Sequence, residues 1–252
     1  DAMSPSRALV SPALDPRVIL VAVATLAGGT GCLDYGSTPF TTPDAPTPPD
    51  VDAGPWPAGL EPWDAENVAP MPTPTATDPC PELMTFTRLP AYMGANALHA
   101  RACIHAPIDV VWRSIRNPYA SRDPTTTAGF FVLPAPIAGE CDGAYETETH
   151  IDDVIDFDFR LCWRHALALG TEAAPLLTAT RWQKVWGSNL LRRVEGSLVA
   201  RPFPGDSSIT LLEYQYHLDA VSSDHGTIER YLGVIWSRVR DDAHGIPLLP
   251  PP

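Results

Sequence analysis

The chain has 252 residues, 44% of them hydrophobic, with 30 acidic side chains against 17 basic ones and a net charge of −13. That length allows one or two domains with a sizeable core. The charge argues against nucleic acid and anionic membrane surfaces as partners, because there is no basic surplus to neutralise phosphates. No apolar run reaches the ~20 residues that span a bilayer. The 29 prolines far exceed average use and are expected in linkers or tails.

Arg7 and Arg17 precede an apolar run, Val18 to Ala27, and the stretch GGTGC then ends at Cys32. A charged segment, a short apolar run and small residues before a cleavage point make an export signal over residues 1–31. It resembles a bacterial lipoprotein signal, in which Cys32 becomes the lipidated first residue. Thr30 and Gly31 fit the small positions, while Gly29 stands where a Leu is usual. The resemblance implies a lipoprotein anchored to a membrane of the bacterial cell envelope. Plain secretion is the alternative.

Residues 32–88 are rich in Pro, Thr, Asp and Ala and show neither helical nor strand period. Such a segment buries too little to offset its ordering entropy, so a disordered tether is expected. Trp56, Leu60 and Trp63 are unusual in a spacer. They imply loose packing on the folded domain, or else a docking motif for a partner.

The folded domain is expected over 89–252, beginning near Leu83 to Leu89. Leu98 to His105 alternates, with Leu98, Ala100, Ala102 and Ile104 on one face of a half-buried strand. Pro107 then suits a helix start. Ile108, Val111, Trp112 and Ile115 form one helical stripe, and Asn117-Pro118 stops it. Short strands follow at Gly129 to Leu133 and Ala144 to Ile151. Ile155 to Trp163 alternates cleanly, with Phe157, Phe159, Leu161 and Trp163 opposite Asp156, Asp158, Arg160 and Cys162. Thr180 to Trp186, a turn at Gly187-Ser188-Asn189 and Leu190 to Phe203 read as a hairpin. A second turn at Pro204-Gly205-Asp206 leads to Ile209 to Val221, where Leu212, Tyr214, Tyr216 and Leu218 share a face. A terminal helix has Ser223 or Asp224 as its cap and Ile228, Tyr231, Leu232, Ile235, Trp236 and Val239 as its apolar face.

Ala106-Pro107, Val111-Trp112 and Asn117-Pro118, in that setting, resemble the opening of the START-domain and polyketide-cyclase superfamily (SRPBCC, the helix-grip fold). The order of elements over roughly 95–245 extends the resemblance. It implies an α+β fold in which a curved antiparallel sheet of about seven strands wraps a long C-terminal helix. It also implies a cavity for a hydrophobic small molecule or lipid. The inward residues assigned to that cavity are Phe157, Phe159, Trp163, Tyr214, Tyr216, Tyr231 and Ile235, with Tyr hydroxyls and Arg192 as polar contacts. The plainer reading is that these side chains fill a core.

Three functions compete. The first is a lipid-anchored, non-enzymatic binder of an apolar ligand. The second is an enzyme of the polyketide-cyclase or aromatase kind, and the third is a structural or interaction module. There is no nucleophile elbow, phosphate loop or metal motif, so no cofactor and no metal is expected. The acidic cluster His150, Asp152, Asp153, Asp156 and Asp158 lacks calcium-loop spacing. Ser222-Ser223-Asp224-His225 reads as a helix cap rather than a hydrolase triad. His99, His105, His165 and His217 are expected at a wet face or cavity rim. Cys80, Cys103, Cys141 and Cys162 allow disulfides outside the cytoplasm, with the pairing open.

Overall fold

The structure is a computed structural model and describes residues 56–92, 94–133, 143–152, 156–221 and 224–248. The expected export signal, Cys32, Cys141, Asp153 and Ile155 lie outside these.

Eight strands form one antiparallel sheet in the order β1-β2-β8-β7-β6-β5-β4-β3. They are β1 Met84–Tyr92, β2 Ala95–Ile104, β3 Thr127–Leu133, β4 Tyr145–Ile151, β5 Phe157–Thr171, β6 Ala174–Gly187, β7 Leu191–Phe203 and β8 Asp206–Ala220. Helix α1, Ile108–Ile115, and a 3₁₀ turn, Pro118–Ser121, follow β2, and helix α2, His225–Ala243, closes the fold. Both helices pack on one face of the curved sheet, which is the helix-grip arrangement.

Local chemistry explains most of these elements. Pro107 precedes α1 with extended backbone, and Ile108, Val111, Trp112 and Ile115 are all buried. Asp224 caps α2 by accepting from the Thr227 backbone N–H at 2.8 Å, while Ser222 and Ser223 lie outside the described residues. β1 is the strand beyond the seven expected. It carries Pro90, which cannot donate to a ladder, and it lies at the sheet edge where that matters least. β5 runs eight residues past the expected end at Trp163, because apolar and small residues keep it paired with β6.

The tether over 32–88 needs correcting where the structure describes it. Residues 56–83 lie as a strap across the outer face of the sheet, with Leu60, Ala69 and Cys80 buried. Pro57, Pro62, Pro70, Pro72 and Pro74 have no N–H, so this segment does not pair as a strand. Side chains satisfy its backbone instead. Arg101 donates to the carbonyls of Asn67 and Ala69, both at 2.7 Å. Gln215 accepts from the Asp64 N–H at 2.9 Å and donates to the Asp64 carbonyl at 2.8 Å. Asn67 Nδ2 reaches the carbonyls of Ala100 and Tyr214. A Cys80–Cys103 disulfide fastens the strap to β2, and Cys162 is disulfide-bonded as well. Trp63 lies under the Arg181 guanidinium, 3.6 Å from ring centre to the guanidinium carbon.

Candidate functional site

Strand register sets the inner face in rows. One row runs Tyr145, Trp163, Trp182, Gly196, Tyr216, Leu98 across β4, β5, β6, β7, β8 and β2. Gly196 leaves room in the middle of this row. A Cβ there would sit 2.1 Å from Trp182 Cζ2, so the indole lies over β7 only because that position has no side chain. Trp182 therefore meets Trp163 on one side at 5.3 Å between ring centres and Tyr216 on the other at 5.8 Å. Tyr216 in turn meets Tyr231 of α2 edge-on at 5.6 Å.

The next row runs His165, Thr180, Leu198, Tyr214, Ala100. Between the two rows and the helices lies a cavity of about 20 Å³. Its sheet wall is Trp163, Thr180, Trp182, Leu198 and Tyr214, and its helical wall is Ile115, Ile235 and Val239. Ala120 and Ser121 of the 3₁₀ turn close one side. Such a volume holds about one water molecule.

The polar atoms on the sheet wall carry the chemistry. Tyr214 is fully buried, and its hydroxyl has no hydrogen-bond partner among the described residues; neither has Trp182 Nε1. A buried donor without a partner costs about 1–3 kcal/mol. By contrast Trp163 Nε1 donates to Thr147 Oγ1 at 2.9 Å, and Tyr231 Oη donates to the Ser121 carbonyl at 3.3 Å. Burial pushes the hydroxyls of Tyr145, Tyr214, Tyr216 and Tyr231 up, so all four stay protonated. His165 sits among Trp112, Tyr145 and Trp163, with Nδ1 2.9 Å from Thr180 Oγ1. Its Nε2 is shut off from solvent and has no partner among the described residues. Burial, with the nearby Arg116 charge, lowers its pKa to about 4, so the ring is neutral near pH 7.

Of the residues assigned from sequence, Trp163, Tyr214 and Ile235 line this cavity, and Tyr216 and Tyr231 stand beside it in the aromatic row. Phe157 and Phe159 pack on each other at 6.1 Å, nearer the start of β5, and do not line it. Arg192 is not a cavity contact either. Its guanidinium is exposed and pairs with Asp219, 3.0 Å from Nε. Thr180, Trp182 and Leu198 were not singled out from sequence. Their alternation along β6 and β7 was the available signal, but it does not say which face is inner.

A second cluster lies under the strap. Asp64 Oδ2 is 2.8 Å from His99 Nε2 and 3.1 Å from His217 Nε2, and His217 Nδ1 is 3.2 Å from Glu195 Oε1. The backbone N–H of Val68 donates to His99 Nδ1 at 3.0 Å. His99 is therefore neutral, with its proton on Nε2 donated to Asp64, and that nitrogen has no lone pair for a metal. His217 has a carboxylate at each nitrogen. Burial opposes its charge, but the hydrogen bonds to Asp64 and Glu195 outweigh that and raise its pKa to about 9. Burial likewise works against the Asp64 carboxylate, and hydrogen bonds from His217 and His99 outweigh it, holding Asp64 well below the usual carboxylate range. The cluster is a clasp between strap and sheet. At the other acidic group, His150 Nδ1 pairs with Asp158 at 2.7 Å. No group of residues that could hold a metal is found among the described residues, and no helix among them is long and apolar enough to cross a membrane.

No protein-family model matches the chain, and no curated protein does. Solved structures similar to it include the Zhui aromatase/cyclase from Streptomyces sp. R1128, at 15% identity over 60% of this chain and 94% of that one, with a TM-score of 0.43. Another is Ara h 8.0201, at 7% identity over 60% of this chain and 99% of that one, with a TM-score of 0.42. The human StarD13 (DLC2) lipid transfer and protein localization domain is 11% identical over 69% of this chain and 88% of that one, with a TM-score of 0.45.

Proposed function

We propose that the domain binds a hydrophobic small molecule between the inner face of the sheet and helices α1 and α2, and that a lipid on Cys32 holds it outside the cytoplasm. The observation that carries the binding reading is a mostly apolar cavity whose lining includes Tyr214 and Trp182, two buried residues whose hydroxyl and indole N–H have no hydrogen-bond partner among the described residues. A core that has only to pack is served as well by Phe at position 214, with no donor left unmet. At about 20 Å³ the cavity has room for about one water molecule. Binding therefore means that Ile235 and Val239 of α2 move away from Trp163, and the ligand selects that opened form. Trp163, Tyr214 and Ile235 are the walls, flanked by Tyr216 and Tyr231.

The cyclase reading is weaker on chemical grounds. No Asp, Glu, His, Lys or Arg lines the cavity, and Tyr214 keeps its proton, so proton transfer to a bound substrate has no evident carrier. The test of binding is thermal shift with fatty acids, sterols and aromatic polyketides. A ligand at ~100 times its dissociation constant stabilises the fold by ~2.7 kcal/mol. If none of these classes raises the melting temperature, the domain is a filled-core module.

The anchor reading is supported by the disulfides at Cys80–Cys103 and at Cys162, which suit an oxidising compartment. Cys32→Ser should move the protein from the membrane to the soluble fraction. A soluble wild type, or a variant that stays with the membrane, removes the anchor.

A further inference from the structure

Three side chains of α2 cross the segment that follows α1. Arg230 Nη1 binds Asp123 Oδ2 at 2.5 Å, and Tyr231 donates to the Ser121 carbonyl at 3.3 Å. Arg238 donates to the Tyr119 carbonyl from Nε at 3.2 Å and from Nη2 at 2.9 Å. The same carbonyl accepts the Arg122 backbone N–H at 3.4 Å, so the Arg122 backbone lies beside the Arg238 guanidinium.

Arg122 is 6% exposed. Its Nε is sealed from solvent without a partner, and its guanidinium forms no ion pair among the described residues. Asp123, its neighbour in sequence, is already engaged. Arg230 takes Oδ2, and Thr125 donates to Oδ1 from N at 2.9 Å and from Oγ1 at 2.5 Å. Elsewhere arginines pair with carboxylates, as Arg101 does with Glu213 and Arg192 with Asp219. Arg238 holds a neutral carbonyl instead. Of the charges that act on it, that of Arg122 is the strongest, ahead of Asp123, Asp241 and Asp242. In a chain with 30 acidic and 17 basic side chains, two neighbouring guanidiniums without a carboxylate are an exception. A buried charge is costly unless something pairs with it. A carboxylate would balance one of the two. A phosphate monoester carries close to two negative charges and three acceptor oxygens, which suit guanidinium forks.

We propose that Arg122 and Arg238 form a binding site for a phosphate group, carried on a small soluble molecule, at the seam between α2 and the 3₁₀ turn. The site shares no residue with the cavity lining and stands apart from the binding reading above. The net charge of −13 disfavours an anionic bilayer as the source of the phosphate.

The test uses the full chain carrying Cys32→Ser, so that an anchor plays no part. Inorganic phosphate, glycerol 3-phosphate and acetate are titrated at one ionic strength and read by calorimetry and thermal shift. Both phosphates should bind and raise the melting temperature, and acetate should bind at least ~10-fold more weakly, as expected when charge-assisted hydrogen bonds are lost. Arg122→Met keeps the bulk and removes the charge. It should lower phosphate affinity at least ~10-fold and raise the melting temperature in phosphate-free buffer, because the unpaired charge is gone. Arg113→Gln, at an exposed position on α1, should leave phosphate affinity unchanged. If phosphate stabilises Arg122→Met as much as its parent, or stabilises neither, the site does not exist. Acetate binding as tightly as phosphate would overturn the assignment to a doubly charged group. Vesicles of phosphatidylcholine with phosphatidic acid should not sediment the protein. If they do, Arg122→Met abolishes it and glycerol 3-phosphate fails to bind, the phosphate belongs to a lipid headgroup and the soluble source is wrong.

Discussion

Replacing Gly196 by Ala tests whether the aromatic row is built on the absence of one side chain. The added Cβ would lie 2.1 Å from Trp182 Cζ2, 2.5 Å from Cε2 and 2.7 Å from the Gln215 carbonyl oxygen. The carbonyl belongs to the β8 backbone and cannot move far, so the Trp182 ring must leave its place. Forcing extra volume into a packed core costs about 1–3 kcal/mol. Displacing the ring also breaks its contacts with Trp163 and Tyr216, each worth about 0.5–1.5 kcal/mol beyond area burial. Against this, Ala restricts the unfolded chain more than Gly, a gain of about 0.4–1 kcal/mol. The net expectation is a loss of about 2–4 kcal/mol, read from urea unfolding followed by Trp fluorescence. The same substitution in a Trp182→Ala background should cost at least 1 kcal/mol less, approximately, because the ring it strikes is gone. A Gly196→Ala protein as stable as the wild type would mean that Trp182 does not lie over β7, and the row and the cavity wall built on it would fall with it.

Trp112 is almost fully buried in the α1 stripe, so Trp112→Ala should cost about 3–5 kcal/mol in the same assay; a loss under about 1 kcal/mol would put it at the surface. His217 has a folded-state pKa of about 9, above its ordinary value near 6.5. Its stabilisation is therefore complete below pH ~6.5 and lost as pH rises through 9, so the stability gap between wild type and His217→Gln should shrink over that window. A gap that does not change with pH refutes the clasp. Asp64 works the other way, because its folded pKa is depressed: its stabilisation is present above the ordinary carboxylate pKa of ~3.9 and fades as pH falls below that. Cys80 and Cys103 are 23 positions apart, and a closed loop of that size suggests a loss of about 3 kcal/mol for Cys103→Ser. Limited proteolysis of that variant should cut first within 56–83; equal resistance to the wild type would show that the strap holds without its disulfide.

The elements of the domain were legible because each has a local signature. The stripe Ile108, Val111, Trp112, Ile115 follows the 3.6-residue period, and the alternation from Leu212 to Leu218 follows the period of two. Asp224 announces the start of α2 by its own hydrogen-bonding chemistry. These signals depend on residues within one or two turns of each other, and the chain carries them whatever it packs against. The strap was legible only at Trp56, Leu60 and Trp63, whose apolar side chains imply packing on the domain, as the burial of Leu60 shows. Its composition has no period, and what orders it is a set of bonds to Arg101, Gln215 and Cys103, residues far along the chain.

The same limit applies to the two clusters of polar groups. His99 and His217 are 118 positions apart by their numbers, and each reads alone as a residue on a strand's wet face. The register Ala97↔His217 between β2 and β8, with a strap residue laid over it, makes them partners of one carboxylate. Gly196 reads in sequence as a weak point in a strand, yet Trp163, Trp182 and Tyr216 meet there through β5, β6 and β8. The chain's local periods determined that there would be strands with an aromatic face and a helix to cover it. Which aromatic rings touch, which donors are left without acceptors, and how little space remains between sheet and helix were decided by strand register and helix placement. Those are set by contacts between segments distant in sequence, whose energies no short stretch of residues contains.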